Sequence, residues 1–237
     1  MTHIQQPAGR FPTTQWSLVL AGKDSAAARR ETLGRLFESY WQPLYFYTRR
    51  RGLSPTDAED AIQGFWTSLW ERNTIDLLDP MRGRLRAFLK SALRNYLANE
   101  HAYRTRFKRG GNTPALSLDF EVAESALSFV PDDPEKAYDR TWSTQIIERC
   151  MQRLTKEYES GTRSGPAPAL QELFGFQSGS THQEIADRFG MTLAQVKAFA
   201  HRARKRFREL LLEEVATTVD TPPMVVDEAK CLYELIG

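Results

Sequence analysis

Two short, well-capped helices joined by a glycine turn are the feature that most constrains the fold of this chain. Residues 181–208 read THQEIADRFGMTLAQVKAFAHRARKRFR. Thr181 precedes one apolar helical series and Thr192 opens the next, as helix N-caps do. Gly190 stands between them, where a tight turn needs a residue that accepts a left-handed backbone. The spacing therefore predicts a helix-turn-helix.

The second of these helices carries a dense positive charge. Between residues 197 and 208, six side chains are Lys or Arg and none is acidic. Such a field neutralises phosphates and makes binding salt-dependent. Together with the caps and the turn, it predicts DNA binding. A packed helical hairpin with a solvated basic face is the alternative that charge alone leaves open.

Almost every periodic segment of the chain has the helical period, so we expect an all-α fold. Pro43 should kink or divide the first helix. Ser54, Pro55 and Asp57 give the second helix a cap, a proline at its first position and an early acid. Apolar stripes and caps place helices at 25–52, 55–70, 85–103 and 134–158.

Composition predicts two small helical domains joined by a flexible linker. A chain of 237 residues has room for two cores. Residues 108–133 are rich in glycine, proline and scattered acids, which is typical of a linker. The predicted order is an N-terminal extension, the first domain, the linker, the second domain and an acidic C-terminal extension, at 1–24, 25–107, 108–133, 134–212 and 213–237.

The charges of the chain are segregated, although the formal net charge is only +2. Residues 82–109 hold nine Lys or Arg against one acid, whereas residues 209–237 hold seven acids against one Lys. With the run at 197–208, this makes two basic blocks. The distribution predicts two contact surfaces for nucleic acid.

The sequence offers little for catalysis or for a membrane. Its four histidines have no paired zinc spacing and no carboxylate partner within sequence reach. Two cysteines are too few for a disulfide framework. No apolar run reaches the length of about eighteen residues that a membrane span needs. We expect a soluble, cytoplasmic protein without enzymatic activity, metal or cofactor, which binds no membrane and is a monomer when free.

Three segments, in this order, resemble the extracytoplasmic-function group of bacterial RNA polymerase sigma factors. They are SPTDAEDAIQGFWTSLW, LDPMRGRLRAFLKSALRNYLANE and THQEIADRFGMTLAQVKAFAHRARKRF. The resemblance covers about residues 33–106 as sigma region two and about 142–211 as sigma region four. The segment TTQWSLVL and the acidic tail are similar to a planctomycete-like subgroup with extended ends. The resemblance implies promoter recognition and DNA melting, with core RNA polymerase, promoter DNA and an anti-sigma factor as partners.

The resemblance implies that the second helix docks on the clamp helices of the largest polymerase subunit. The polymerase-binding residues would be Asp57, Glu59, Asp60, Gln63 and Trp66. Taken alone, these acids indicate a solvated helix face with a favourable place near a helix N-terminus. Gly64 departs from the acidic residue that the family usually has at this position.

The resemblance also implies that the third helix and the loop before it trap melted minus-ten DNA. Cationic side chains would neutralise phosphates, and Asn95 would read an extruded base. The minus-ten set is Arg82, Arg84, Arg86, Lys90, Arg94 and Asn95. For the aromatic residues Phe88 and Tyr96, core packing is the simpler interpretation.

In the second domain, the resemblance implies that the helix opened by Thr192 reads the minus-thirty-five element. Residues near its N-terminal end would reach base edges, and they are Thr192, Gln195, Lys197, Ala198 and Phe199. Residues further along would contact phosphates, and they are His201, Arg202, Arg204, Lys205 and Arg208. The sequence leaves Phe199 open between a contact to a thymine methyl and inward packing.

Two other classes of protein stay open. An autonomous helix-turn-helix operator-binding regulator would bind a paired operator tightly, usually as a symmetric dimer. An adaptor that uses its basic blocks only electrostatically would bind weakly and hardly distinguish sequences. A sigma factor would instead bind duplex DNA poorly alone and engage promoters together with core polymerase.

Overall fold

The structure, a computed structural model, describes residues 25–71, 84–104, 119–174, 180–216 and 232. Every regular element in these ranges is helical and none is a strand, which confirms the predicted all-α class. In chain order the elements are α1 (Ala26–Arg50), α2 (Pro55–Glu71), α3 (Leu85–Arg104), α4 (Phe120–Ala126), a 3₁₀ turn (Leu127–Phe129), α5 (Pro134–Glu159), α6 (Ala169–Leu173), α7 (His182–Phe189) and α8 (Leu193–Ala216). Within the same ranges, no helix is both long enough and apolar enough to cross a membrane.

The chain divides into two compact units, Met1–Trp142 with Ala216–Gly237, and Ser143–Val215. The division falls inside α5, whereas the sequence predicted it in a linker before that helix. The first turns of α5 belong with the first unit because they pack on α3. There Tyr138 donates a hydrogen bond of 2.9 Å to the backbone carbonyl of Arg86.

α1 begins next to Ser25, as predicted, and it does not break at its internal proline. Ser25 Oγ accepts a hydrogen bond from the backbone N–H of Ala28 at 3.1 Å, and the helix continues through Pro43. A proline inside a helix costs about 3 kcal/mol. Tyr40 and Leu44 are both 0% exposed. Their burial offsets this cost, because a large apolar side chain contributes roughly 1.5–3 kcal/mol when buried.

α2 starts where the sequence places its cap, proline and acid. Ser54 Oγ accepts from the backbone N–H of Asp57 at 3.2 Å and donates to its carboxylate at 2.6 Å, and Pro55 is the first helical residue. The buried residues of the helix are six of the seven in the predicted apolar stripe, namely Ala58, Ala61, Ile62, Phe65, Trp66 and Leu69. The seventh, Trp70, is 39% exposed. Because α1, α2 and α3 contact one another, they share one core.

The described part of the predicted linker, residues 119–133, is largely helical and packs on α1. Phe120 is buried. The Glu124 carboxylate accepts hydrogen bonds from Tyr45 Oη at 2.7 Å and from the Arg49 guanidinium at 2.6 and 2.9 Å. Composition indicated a flexible segment here. The structure differs because these side chains find specific partners on α1, which composition does not reveal.

The second unit packs the C-terminal part of α5 with α6, α7 and α8. Its buried side chains are mostly apolar and include Ile146, Cys150, Leu154, Tyr158, Leu170, Ile185, Val196, Phe199, Ala203 and Leu210. Burial raises the pKa of the Cys150 thiol to about 12. The thiolate is therefore disfavoured, and this cysteine is a core residue.

Candidate nucleic-acid interface

α7 and its turn have the cap geometry that the sequence predicted. Thr181 Oγ1 accepts from the Glu184 backbone N–H at 3.3 Å, and the Glu184 carboxylate accepts from the Thr181 backbone N–H at 2.7 Å. The hydrogen bonds that the Glu184 carboxylate accepts from the backbone N–H and the hydroxyl of Thr181 lower the pKa of Glu184. Gly190 ends the helix with φ 63° and ψ 32°, in the left-handed region. The turn is thus fixed at both ends by local chemistry.

α8 starts at a second reciprocal cap. The Gln195 backbone N–H donates to Thr192 Oγ1 at 3.2 Å, and the Thr192 backbone N–H donates to Gln195 Oε1 at 2.7 Å. Both residues are exposed, as a base-contacting role requires. Because its side-chain oxygen serves the cap, Gln195 would offer Nε2 to a base.

The outer side of α8 is exposed and cationic. We call this surface the basic face, and it consists of Lys197, His201, Arg202, Arg204, Lys205 and Arg208, all of them exposed. Ala198 is exposed beside it. Lys197, His201 and Lys205 follow one another at four-residue intervals, so they lie along one side of the helix. The structure therefore brings together most of the residues predicted to contact the minus-thirty-five element.

Phe199 is removed from that set, because the structure buries it completely. Its exposed fraction is 0%, and its ring meets the Tyr158 ring edge-on at 5.4 Å between centroids. The segment after α5 closes over the ring at Gly165, where an added Cβ would lie 2.6 Å from the phenylalanine. Phe199 lies three residues after the buried Val196, and this helical spacing was the available signal for inward packing.

Arg206 belongs to the basic run in sequence but not to the basic face. Its guanidinium donates to the Glu157 carboxylate at 2.7 and 3.0 Å, and to Glu209 and Glu213 at 3.1 and 3.0 Å. Hydrogen bonds from Arg206, and then from Arg163, hold the pKa of Glu157 at about 2. Arg206 therefore joins α8 to α5 through an ion pair with Glu157. A count of charged residues in the sequence does not distinguish Arg206 from its exposed neighbours.

On α3, two of the predicted minus-ten residues face the start of α5. Arg86 is only 8% exposed, forms an ion pair with Asp139, and stacks over the Trp142 ring at 4.8 Å. Lys90 Nζ lies 2.5 Å from the Glu135 carboxylate. These two cations already have acidic partners inside the first unit, which corrects their assignment as open phosphate contacts.

The other members of the minus-ten set are placed differently. Arg94 and Asn95 are exposed on α3, and Arg84 is half-buried just before the helix. Arg82 lies outside the described residues. Of the predicted minus-ten residues that the structure describes, Arg94 and Asn95 are therefore the two that are exposed.

The predicted polymerase-binding residues divide between surface and core. Asp57 and Asp60 are exposed, and Glu59 and Gln63 are half-buried. Trp66 is only 5% exposed, and its ring packs edge-on against Phe37 and Phe65. Trp66 is therefore a core residue, and its assignment as a polymerase contact is corrected.

Gly64 is explained by the close approach of α2 to α3. A Cβ at this position would collide with the Tyr96 hydroxyl, while the Tyr96 ring packs on Phe65 at 5.8 Å. A glycine inside a helix costs about 1 kcal/mol relative to alanine. Here it is the residue that permits the contact, which accounts for the departure from an acidic side chain.

Among the described residues, no group of three or more His, Cys, Asp or Glu side chains is arranged to hold a metal ion. The chemistry of the candidate interface is electrostatic: an exposed cationic helix face lies beside a tight helix turn. No protein-family model, curated protein or solved structure matches this chain.

Proposed function

We propose that this chain is an RNA polymerase sigma factor that directs promoter recognition and DNA melting for transcription initiation. The observation that carries the proposal is the basic face on the second helix of a capped helix-turn-helix. The order of the three resembling segments supports the same function. On this proposal, the second unit recognises the minus-thirty-five element, and the first unit binds core RNA polymerase and melted minus-ten DNA.

The basic face has the chemistry for a helix in the major groove. Lys197 and Ala198 lie near the N-terminal end of α8, where an inserted helix presents side chains to base edges. Arg202, Lys205 and Arg208 follow along the helix, where long cationic side chains reach phosphates. Phosphate contacts would position the unit, and the residues of the first turns would discriminate sequence.

The first unit supports the proposal through fewer residues than the sequence suggested. Asp57, Glu59, Asp60 and Gln63 would form the polar edge that docks on polymerase. Arg94 and Asn95 would meet the unstacked strand. Strand opening needs no covalent chemistry, only a site that favours the unpaired strand over the duplex by the few kcal/mol that unstacking costs.

The test is reconstitution with core RNA polymerase. The purified full chain is mixed with core enzyme, and both complex formation and promoter-dependent run-off transcripts are measured. We expect a stable complex and transcripts that begin at promoters selected from genomic fragments. A chain that neither binds core enzyme at low salt nor supports any specific transcript would refute the proposal.

An autonomous operator-binding regulator is the second candidate. It is favoured by the internal ion pairs of Arg86 and Lys90, which reduce the cationic surface of the first unit and leave the basic face as the main exposed cationic surface among the described residues. If the chain is such a regulator, it should bind duplex DNA tightly and sequence-specifically without polymerase. Selection from a randomised duplex pool by the chain alone separates the two functions.

A further inference from the structure

The segment between α5 and α6 lies directly on the inner side of α8. Gly165 has φ 144°, and a Cβ built there would lie 2.6 Å from two ring atoms of Phe199 and 3.3 Å from the Tyr158 ring. Only a residue without a side chain allows this approach. The backbone of the segment therefore packs closely against the ring of Phe199, on the inner side of α8.

A charged contact joins the same three parts of the unit. The Glu157 carboxylate at the end of α5 accepts a hydrogen bond from Arg163 of the segment at 2.7 Å and from Arg206 of α8 at 2.7 Å. With a pKa of about 2, this carboxylate stays ionised at any pH near neutrality. Charge-assisted hydrogen bonds of this kind are stronger and more directional than neutral ones.

The two contacts hold one side of α8, and the basic face is on the other. Phe199 and Arg206 are seven residues apart, so they lie on one side of the helix two turns from each other. Lys197, His201 and Arg208 project from the opposite side by the same helical geometry. Any rotation of the helix about its axis would therefore move the inner anchors and the basic face together.

We propose that residues 160–168, held by these two contacts, form a brace that fixes the rotation of α8 and so selects the side chains that face DNA bases. Arg163, Gly165 and Phe199 are positioning residues in this scheme. The inference rests on the proposed DNA-binding function of α8. A rotation of about 20° displaces an atom about 5 Å from the helix axis by roughly 2 Å, which is enough to break a hydrogen bond.

The brace should affect sequence discrimination more than overall attraction. Lys and Arg side chains that contact phosphates are long and adapt to a small rotation, whereas bidentate base contacts do not. Removing the brace should therefore weaken binding to a preferred duplex and leave binding to a scrambled duplex unchanged. A purely structural role would weaken both to the same extent.

The experiment uses the full chain with core polymerase. A preferred duplex is first selected from a randomised pool, and affinities for it and for a scrambled duplex are then measured over a range of salt concentrations. For Gly165→Ala we expect affinity for the preferred duplex to fall on the order of tenfold, the size of one base contact. The affinity for the scrambled duplex and the salt slope should stay the same.

Gly161→Ala is the matched control. Gly161 lies in the same segment and also has a positive φ, 73°, but a Cβ there meets nothing within 4 Å. Alanine is strained at both positions, but only at Gly165 does it also meet the Phe199 ring. We expect its discrimination between the two duplexes to match that of the wild-type chain.

Two further variants keep the test decisive if Gly165→Ala folds poorly. Arg163→Gln loosens the brace without adding atoms and should reduce discrimination in the same direction. Phe199→Leu in the Gly165→Ala background removes ring atoms that the new methyl group meets, so it should recover part of the discrimination.

The outcomes separate the brace from the function on which it rests. Wild-type protein that selects no sequence, with or without polymerase, overturns both. The brace alone is overturned if the wild-type protein selects a sequence and the Arg163→Gln and Gly165→Ala variants discriminate equally well. It is also overturned if these variants lose affinity for the preferred and the scrambled duplex to the same extent.

Discussion

At the scale of single residues, two helical glycines have opposite roles. A methyl group added at Gly34 in α1 would meet nothing within 4 Å, whereas one added at Gly64 in α2 would meet the Tyr96 hydroxyl. At an unobstructed helical site, alanine gives a free energy of unfolding about 0.5–1 kcal/mol higher than glycine does. The same change at an obstructed site must first displace a packed ring.

We therefore predict that Gly34→Ala raises the free energy of unfolding by about 0.5–1 kcal/mol, and that Gly64→Ala lowers it. Urea denaturation followed by circular dichroism measures both. Tyr96→Phe in the Gly64→Ala background removes the colliding hydroxyl and should recover part of the stability. Equal stabilisation by the two alanines would contradict the role of Gly64 in the approach of α2 to α3.

A second residue-scale prediction concerns Glu157 and acid. Its pKa lies at about 2 in the folded chain, below the ordinary glutamate value of 4.5. A lowered carboxyl pKa stabilises the fold above the unfolded value, and this contribution is lost as the pH falls from about 4.5 towards 2. Glu157→Gln should flatten the pH dependence of unfolding in this window. Denaturation curves at about pH 7, 4.5 and 2.5 give the free energy of unfolding of both proteins. If this free energy fell equally with pH in the two, the ionised Glu157 would not stabilise the fold.

At the scale of elements, we predict that DNA binding depends on the basic face of α8. Charge reversal at Lys197 and Arg202 should reduce specific transcription strongly and lower the salt slope of DNA binding by about one for each phosphate contact that is removed. Polymerase binding should hardly change. Filter binding at several salt concentrations and run-off transcription test this prediction.

Lys156→Glu is the control for that charge change, because Lys156 is exposed on α5 and lies outside the basic face. Its effect on the salt slope should be small. If it reduced DNA binding as much as the double reversal on α8, binding would depend on total charge and not on one helix face.

Helix caps and apolar stripes made most of the elements predictable. Ser25, Thr181 and Gly190 end or begin helices as their types suggest, because capping is a local property of a few neighbouring residues. The linker prediction differed for residues 119–133, since the partners of Glu124 lie more than seventy residues earlier. Sequence periodicity contains no information on such distant pairs.

The candidate site was predictable only as far as helical register could decide. The outward direction of Lys197, His201 and Lys205 follows from their spacing. The inward direction of Arg206 and the internal partners of Arg86 depend on acids supplied by other elements. Charged residues of one type therefore look alike in sequence although their surroundings differ.

At the scale of the whole molecule, the proposed function assigns polymerase binding to the first unit and recognition of the minus-thirty-five element to the second. Asp60→Ala with Gln63→Ala should weaken the complex with core polymerase, while the affinity of the second unit for DNA stays unchanged. Trp66 is unsuitable for this test because it is buried, and its removal would unfold the core. Polymerase pull-down with purified proteins measures the first effect, and equal binding by the double variant would remove this edge from the proposed interface.

The hydrogen bonds from Tyr45 and Arg49 to Glu124 have a consequence for exchange of backbone amides with deuterium. α4 has seven residues, which is too few for an isolated helix to persist in water. The hydrogen bonds of the Glu124 carboxylate and the packing of Phe120 on Trp41 and Tyr45 hold it against α1 and should slow the exchange of its amides. In Glu124→Ala protein, we expect faster exchange across Phe120–Ala126 and unchanged exchange in α2, because one of the contacts that hold this short helix on α1 is then lost.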